Sequence, residues 1–209
     1  MTSLAILGAS GHGKVLADIA LLSGWNKITF FDDFYPKIKA IEGWTIAGNT
    51  DDLLMSLNNF NGCIVGIGDN EIRLEKTELL LSNSAKLISL IHPSSVISEF
   101  SEVDVGSAIM AGAIINPFSK IGLACIVNTA ATIDHDSVIS DGSHIGPGVN
   151  MAGNVSIGKK SFIGIGASVK QGVDIGDNVI LGAGSVLIQS LNNNALAAGA
   201  PAKVINSQE

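Results

Sequence analysis

The chain has 209 residues, 46% of them hydrophobic and 15% charged, with a formal net charge of -7. This balance supports a buried globular core and excludes general binding to nucleic acid or to an anionic membrane surface. Twenty-four glycines beside only 5% aromatics point to many tight turns around a core of small aliphatic side chains.

Residues 1–90 alternate apolar strands with helices, the pattern of a parallel sheet in an α/β domain. "LAILGASGHGKVLADIALLSG" reads as strand, glycine turn and helix. "ITFFDDF" is a second strand ending in two aspartates, and "DDLLMSLNN" is a short helix capped by its Asp pair. "CIVGIGDNEIRLEKTELLLSN" repeats strand, turn and helix, and "KLISLIHP" is a last strand. The N-terminus has no basic start and no cleavage site, and its apolar run is too short to span a membrane. A soluble, cytoplasmic protein is expected. Cys63 and Cys125 provide no disulfide framework and read as buried, reduced thiols.

The first turn, Gly8-Ala9-Ser10-Gly11-His12-Gly13, opens a helix whose N–H groups suit a phosphate. Asp32 and Asp33 end the next strand, where ribose hydroxyls are often held. Ser10 stands at the second glycine of the dinucleotide fingerprint. Taken alone, a tight turn without ligand and a solvated acidic loop are equally good readings.

Residues 91–209 carry an internal repeat. Every sixth residue from Ile91 to Leu187 is Ile, Val, Leu or Met. Four residues after each rung a small residue recurs, among them Ser107, Ala113, Ser119, Cys125, Ala131 and Ser137. Glycine often follows a rung, as at Gly122, Gly146, Gly158 and Gly164, with Gly106 grouped among them. A six-residue period with one large aliphatic and one small residue is the hexapeptide signature of a parallel β-helix. Three hexads close a coil of eighteen residues, and coils stack about 4.8 Å apart.

His135 lies two residues after rung Ile133, and Gly153 two after rung Met151. One full coil separates them, so Gly153 is predicted directly above His135. That pairing suits acyl transfer: a neutral imidazole takes a proton from an attacking amine or hydroxyl, and a backbone N–H stabilises the oxyanion. Asp136 orients His135 only if it sits at a turn, since neighbours along a strand point to opposite faces. Cys125 occupies an inward position and is rejected as a nucleophile. No activated serine is evident, which favours direct transfer. The spacing of Asp134, His135, Asp136 and His144 is not that of a zinc site.

At this point the chain resembles the bacterial nucleotide-sugar acetyltransferases of the left-handed β-helix class. The motifs "LGASGHGKVLADI", "FFDDF", "VGIGDNEIR", "VNTAATIDHDSVISDGSHIGPG", "MAGNVSIG", "LGAGSVL" and "AAGAPAKVI" carry the likeness across essentially the whole chain. The resemblance implies a Rossmann-like N-terminal domain, a left-handed β-helix and a homotrimer with active sites at subunit boundaries. It implies acetyl transfer from acetyl-CoA to the 4-amino group of a 4-amino-4,6-dideoxy sugar carried on UDP, dTDP or GDP, without a metal. His135 would be the general base, helped by Asp136. His144 and the Gly153 amide would meet the thioester, and Ile165 and Ala183 would line the coenzyme channel. Ser10, Gly11, His12, Asp32, Asp33 and Gly68 would hold the nucleotide sugar. Ser10 stands where the family often has glycine, and Asp136 where some members have glutamate. Sialic acid O-acetyltransferases look much the same, and a non-catalytic nucleotide-binding β-helix scaffold is a third reading.

Overall fold

A hexad cannot bury its large side chain alone; it does so by stacking on its neighbours. In the computed structural model, which describes residues 2–207, that stacking produces a left-handed parallel β-helix. Two-residue strands end on each rung and pair in parallel with strands eighteen residues away. Thr132–Ile133, for instance, lies between Ile114–Ile115 and Asn150–Met151. The strands form three faces. One runs from Val96–Ile97 to Val186–Leu187 and a second from Glu102–Val103 to Asp174–Ile175. The third includes Ile126–Val127, His144–Ile145 and Phe162–Ile163.

Every rung from Ile109 to Leu187 is buried. Ile91, read from the sequence as the first rung, is instead exposed and belongs to the preceding compact unit, which ends at Pro93. The small ladder is buried as well, and its serines are satisfied by bridging coils. Ser161 Oγ donates to Gly176 O at 2.7 Å and accepts the Val179 N–H at 2.9 Å. A buried hydroxyl that both donates and accepts escapes the desolvation penalty of an unpaired one.

The coil turns its corners through left-handed backbone. Every sixth residue from Gly106 to Gly184, three after each rung, has positive φ. Gly106 therefore belongs to this corner series and not to the glycines that follow a rung. Those glycines have a separate cause: close approach of the next coil. A Cβ at Gly164 would come within 2.6 Å of both Ala183 N and Leu181 O.

The first unit, residues 1–93, has a three-stranded parallel sheet. Strand β1 (Ser3–Leu7) lies between β2 (Lys27–Phe31) and β3 (Gly62–Val65). Helices α1 (Gly11–Leu22), α2 (Thr50–Ser56) and α3 (Asn70–Ser82) alternate with them. The cap of α2 differs from expectation. Asn49 accepts the Asp52 N–H at 3.0 Å, and Asp52 returns the bond by accepting the Asn49 N–H at 2.9 Å. This reciprocal capping box draws on Asn49, one turn ahead of the acidic partner. "KLISLIHP" contributes only a bridge from Leu87 to Cys63 and the two-residue strand Leu90–Ile91.

The coil-to-coil backbone contacts at Gly164 leave no side chain to move aside. Gly164→Ala is expected to cost about 1–3 kcal/mol in urea unfolding, the cost of overpacking a filled interior.

Candidate active site

The β-helix places His135 on the edge between its first two faces, between strands Thr132–Ile133 and Val138–Ile139. The conformation of Asp136 meets the condition set by the sequence. Its φ is 59°, so it sits at the corner and its side chain turns back towards its neighbour. Asp136 Oδ2 lies 2.7 Å from His135 Nδ1. A carboxylate can only accept, so Nδ1 carries the proton and Nε2 keeps its lone pair. Asp136 is the main cause of a His135 pKa above the ordinary imidazole value, with smaller attraction from Asp134 and Asp136 charge.

Asp134 braces the same loop. Its Oδ1 accepts the His135 N–H at 2.8 Å and the Asn116 amide at 2.9 Å. The first of these bonds, then the second, holds its carboxyl below the usual range. Neighbouring coils are tied at this edge: Asp136 N–H donates to Pro117 O at 3.1 Å and Asn154 N–H to His135 O at 2.8 Å.

Gly153 does lie against His135. A Cβ on Gly153 would come within 2.6 Å of the imidazole Cε1 and 2.7 Å of Nε2. Ala152 N–H and Asn154 N–H are spent on Val169 O and His135 O, while Gly153 takes part in backbone pairing as an acceptor, from Gly172. A cleft of about 360 Å³ opens here, lined by Asp134, His135, Ala152, Gly153, Asn154 and Gln171, with Gly172 at its end.

His144, Ile165 and Ala183 are placed elsewhere. His144 lies on the third face, edge-on to Phe162 at 5.0 Å, with Asn128 Nδ2 3.0 Å from its Nε2. Ile165 and Ala183 are exposed and stack one coil apart on the edge between the third and first faces. None of the three lines the His135 cleft within one chain.

In the first unit a second cleft, of about 300 Å³, is lined by Leu7, Gly8, Ser10, Asp32, Asp33, Phe34, Ile67, Ile72 and Lys76. Ser10 is the N-cap of α1, and its hydroxyl makes no capping bond. Gly11 and His12 begin the helix, whose first N–H groups have no intrahelical acceptors. Asp32 is committed to the protein: its carboxylate accepts the N–H groups of Ala9 at 2.7 Å and Phe34 at 2.9 Å. Asp33 accepts from Thr50 Oγ1 at 2.7 Å and from Lys76 Nζ at 2.9 Å. Burial alone would raise the Asp33 pKa, but these bonds hold it below the usual range. Gly11, His12 and Gly68 do not line this cleft. Gly68 O instead accepts from buried Arg73 at 2.9 Å, which also holds Ile67 O and Asn70 and so shapes the loop.

Sequence reading missed Asn116, Phe34, Ile67, Ile72 and Lys76. A signal existed for Asn116, which lies eighteen residues before Asp134. The other four converge from separate segments of an α/β unit that has no repeat to bring them into register. Among the described residues, no group of three or more His, Cys, Asp or Glu is placed to hold a metal, and no helix is long and apolar enough to cross a membrane.

The fold and this edge together define a hexapeptide-repeat acyltransferase. Residues 3–80 match the PglD N-terminal domain, and residues 154–189 match the bacterial transferase hexapeptide (six repeats). The acetyltransferase domain of PglB from Neisseria gonorrhoeae FA1090, solved with acetyl coenzyme A, is 36% identical, with 97% of this chain and 98% of that one covered, at a TM-score of 0.90. Perosamine N-acetyltransferase from Caulobacter crescentus, solved as a histidine-to-asparagine mutant with CoA and GDP-perosamine, is 34% identical over 99% and 98% of the two chains, at 0.94. UDP-N-acetylbacillosamine N-acetyltransferase of Bacillus subtilis (strain 168) is 37% identical over 116 residues, which span 53% of this chain and about half, 52%, of that relative. The chain belongs to the family of nucleotide-sugar N-acetyltransferases that join a PglD-type domain to a hexapeptide β-helix.

Two outcomes follow from the edge geometry. Asp136→Asn keeps a side chain that tolerates left-handed backbone but removes the largest cause of the raised imidazole pKa. If the acid limb of the kcat/KM profile follows the His135 imidazole, it is expected to shift to lower pH. Gly153→Ala meets a movable imidazole and not backbone. It is expected to leave the urea midpoint nearly unchanged while lowering kcat/KM by about 100-fold through displacement of the imidazole.

Proposed function

We propose that the chain transfers an acetyl group from acetyl-CoA to the 4-amino group of a nucleotide-linked 4-amino-4,6-dideoxy sugar, with His135 as general base. The observation that carries this reading is His135 Nε2 set against Gly153 while Nδ1 is held by Asp136. The amine attacks the thioester carbon, and His135 Nε2 takes the proton that the nitrogen must lose. The Gly153 amide is assigned to the oxygen that becomes negative. As the carbonyl reforms, the carbon–sulfur bond breaks, and the thiolate leaves with a proton from the imidazolium. The relatives solved with acetyl coenzyme A, or with CoA and GDP-perosamine, support this choice of donor and acceptor.

The first unit's cleft is assigned to the nucleotide. Phe34 and Ile72, both exposed, offer an apolar wall to a base, and the α1 N-terminus offers N–H groups to a phosphate. Asp32 and Asp33 act there chiefly as braces for the surrounding backbone, with their remaining lone pairs available to hydroxyls.

His144, Ile165 and Ala183 lie away from the His135 edge, so a coenzyme that touches both sets of residues must be seated between copies. This arrangement supports a trimer of the 21.5 kDa chain, which light scattering would register directly as a threefold mass.

A thiol-release assay with acetyl-CoA and UDP-, dTDP- and GDP-linked amino sugars tests the activity. Turnover with one 4-amino-4,6-dideoxy sugar is expected. Release with a sialic-acid-type hydroxyl acceptor alone would instead identify an O-acetyltransferase, and no acetyl-CoA binding by calorimetry would leave a scaffold. His135→Ala is expected to lose about 100-fold or more in kcat, the usual contribution of a general base. Near-normal turnover in that variant would remove the role.

A further inference from the structure

The corner series contains one aromatic residue. Gly, Asn and Asp fill many of its left-handed positions, because a side chain there crowds the following carbonyl. Phe118 occupies one of them at φ 64°. Burial does not offset the conflict, since Phe118 is 61% exposed. Its ring lies 5.6 Å from that of Phe100, one coil earlier and 59% exposed. Two aromatic rings thus stack on the outside of the prism, in a chain with few aromatics.

Their location is specific. Phe118 lies eighteen residues before Asp136, and its neighbour Pro117 accepts the Asp136 N–H. The aromatic pair therefore continues the catalytic edge on the side of the earlier coils. The cleft against His135 opens on the other side, towards Gly153 and Gln171. If Gly153 takes the thioester there, the side of the earlier coils is left for the acceptor.

We infer that Phe118, supported by Phe100, is a specificity-determining platform for the sugar ring of the acceptor; this rests on the acetyl-transfer reading above. A dideoxy sugar presents a methyl group and a C–H face that match the electron-rich face of an aromatic ring. A planar ring also fixes the orientation of a sugar better than flexible apolar side chains do, because it has few rotamers to lose. The platform would set the 4-amino nitrogen beside Nε2 without entering the chemistry.

Steady-state kinetics on the full chain, with the acceptor that supports wild-type turnover, provide the test. Phe118→Ala and Phe100→Ala are expected to raise the acceptor KM, by about tenfold for Phe118, with the KM for acetyl-CoA unchanged. Phe118→Gly removes the backbone conflict, so it is expected to unfold at no lower temperature than wild type while showing the same rise in acceptor KM. That combination separates lost recognition from lost folding. An unchanged acceptor KM in all three variants of an active enzyme would overturn the inference and leave the catalytic reading intact. So would dissociation to smaller species in sedimentation with acceptor KM unchanged, which would make the pair a contact between copies. Absence of turnover in wild type with every amino sugar would instead overturn the reading beneath it.

Discussion

The structure depends on one constraint: a coil of eighteen residues must return in register, and it does so by bending through left-handed backbone once in every hexad. The aliphatic rungs supply the driving force for stacking, but burial alone does not specify register. Register comes from the corners and from the polar ties between coils, such as the serine that donates to one coil and accepts from it again. A slip by one residue would place every rung outside and every corner in extended backbone.

The same constraint makes the His135–Asp136 pair possible. Adjacent residues on an extended strand cannot share a hydrogen bond between their side chains, because they point to opposite faces. The left-handed conformation of Asp136 breaks that alternation at one residue and brings its carboxylate to the imidazole next to it. The imidazole is therefore oriented without help from a distant segment. The cost is a non-glycine residue at positive φ, and aspartate is among the side chains that tolerate it. Asn116 and Asp134 then stiffen the approach to the corner through bonds one coil apart.

These relations explain which parts were legible in the sequence. The ladder from Ile109 to Leu187 was readable because every rung faces the same interior, and the pairing of His135 with Gly153 followed by counting. The corner series was harder to see. Its occupants range from glycine to lysine, so composition hides a backbone feature that recurs without a gap. Asn116 was within reach of the same counting. Lys76 and Phe34 were not, because the first unit brings them together through tertiary packing alone. Asp32 was singled out for its position after β2, yet much of its hydrogen-bonding capacity serves the turn at Ala9 and the loop at Phe34.

Glycine illustrates how one residue type acquires different meanings at two positions of the repeat. Gly164 is small because the backbone of the next coil lies against it, so its role is structural. Gly153 is small because an imidazole lies against it, so it leaves room for that ring. Both arise from coils stacked one strand spacing apart, but Gly164 directly follows its rung, whereas Gly153 stands two residues after its own, opposite His135. A β-helix built only from the first kind would be a stable rod. Setting a histidine against Gly153, and bracing that histidine through the corner beside it, gives the rod's edge a candidate site while every rung on either side stays in step.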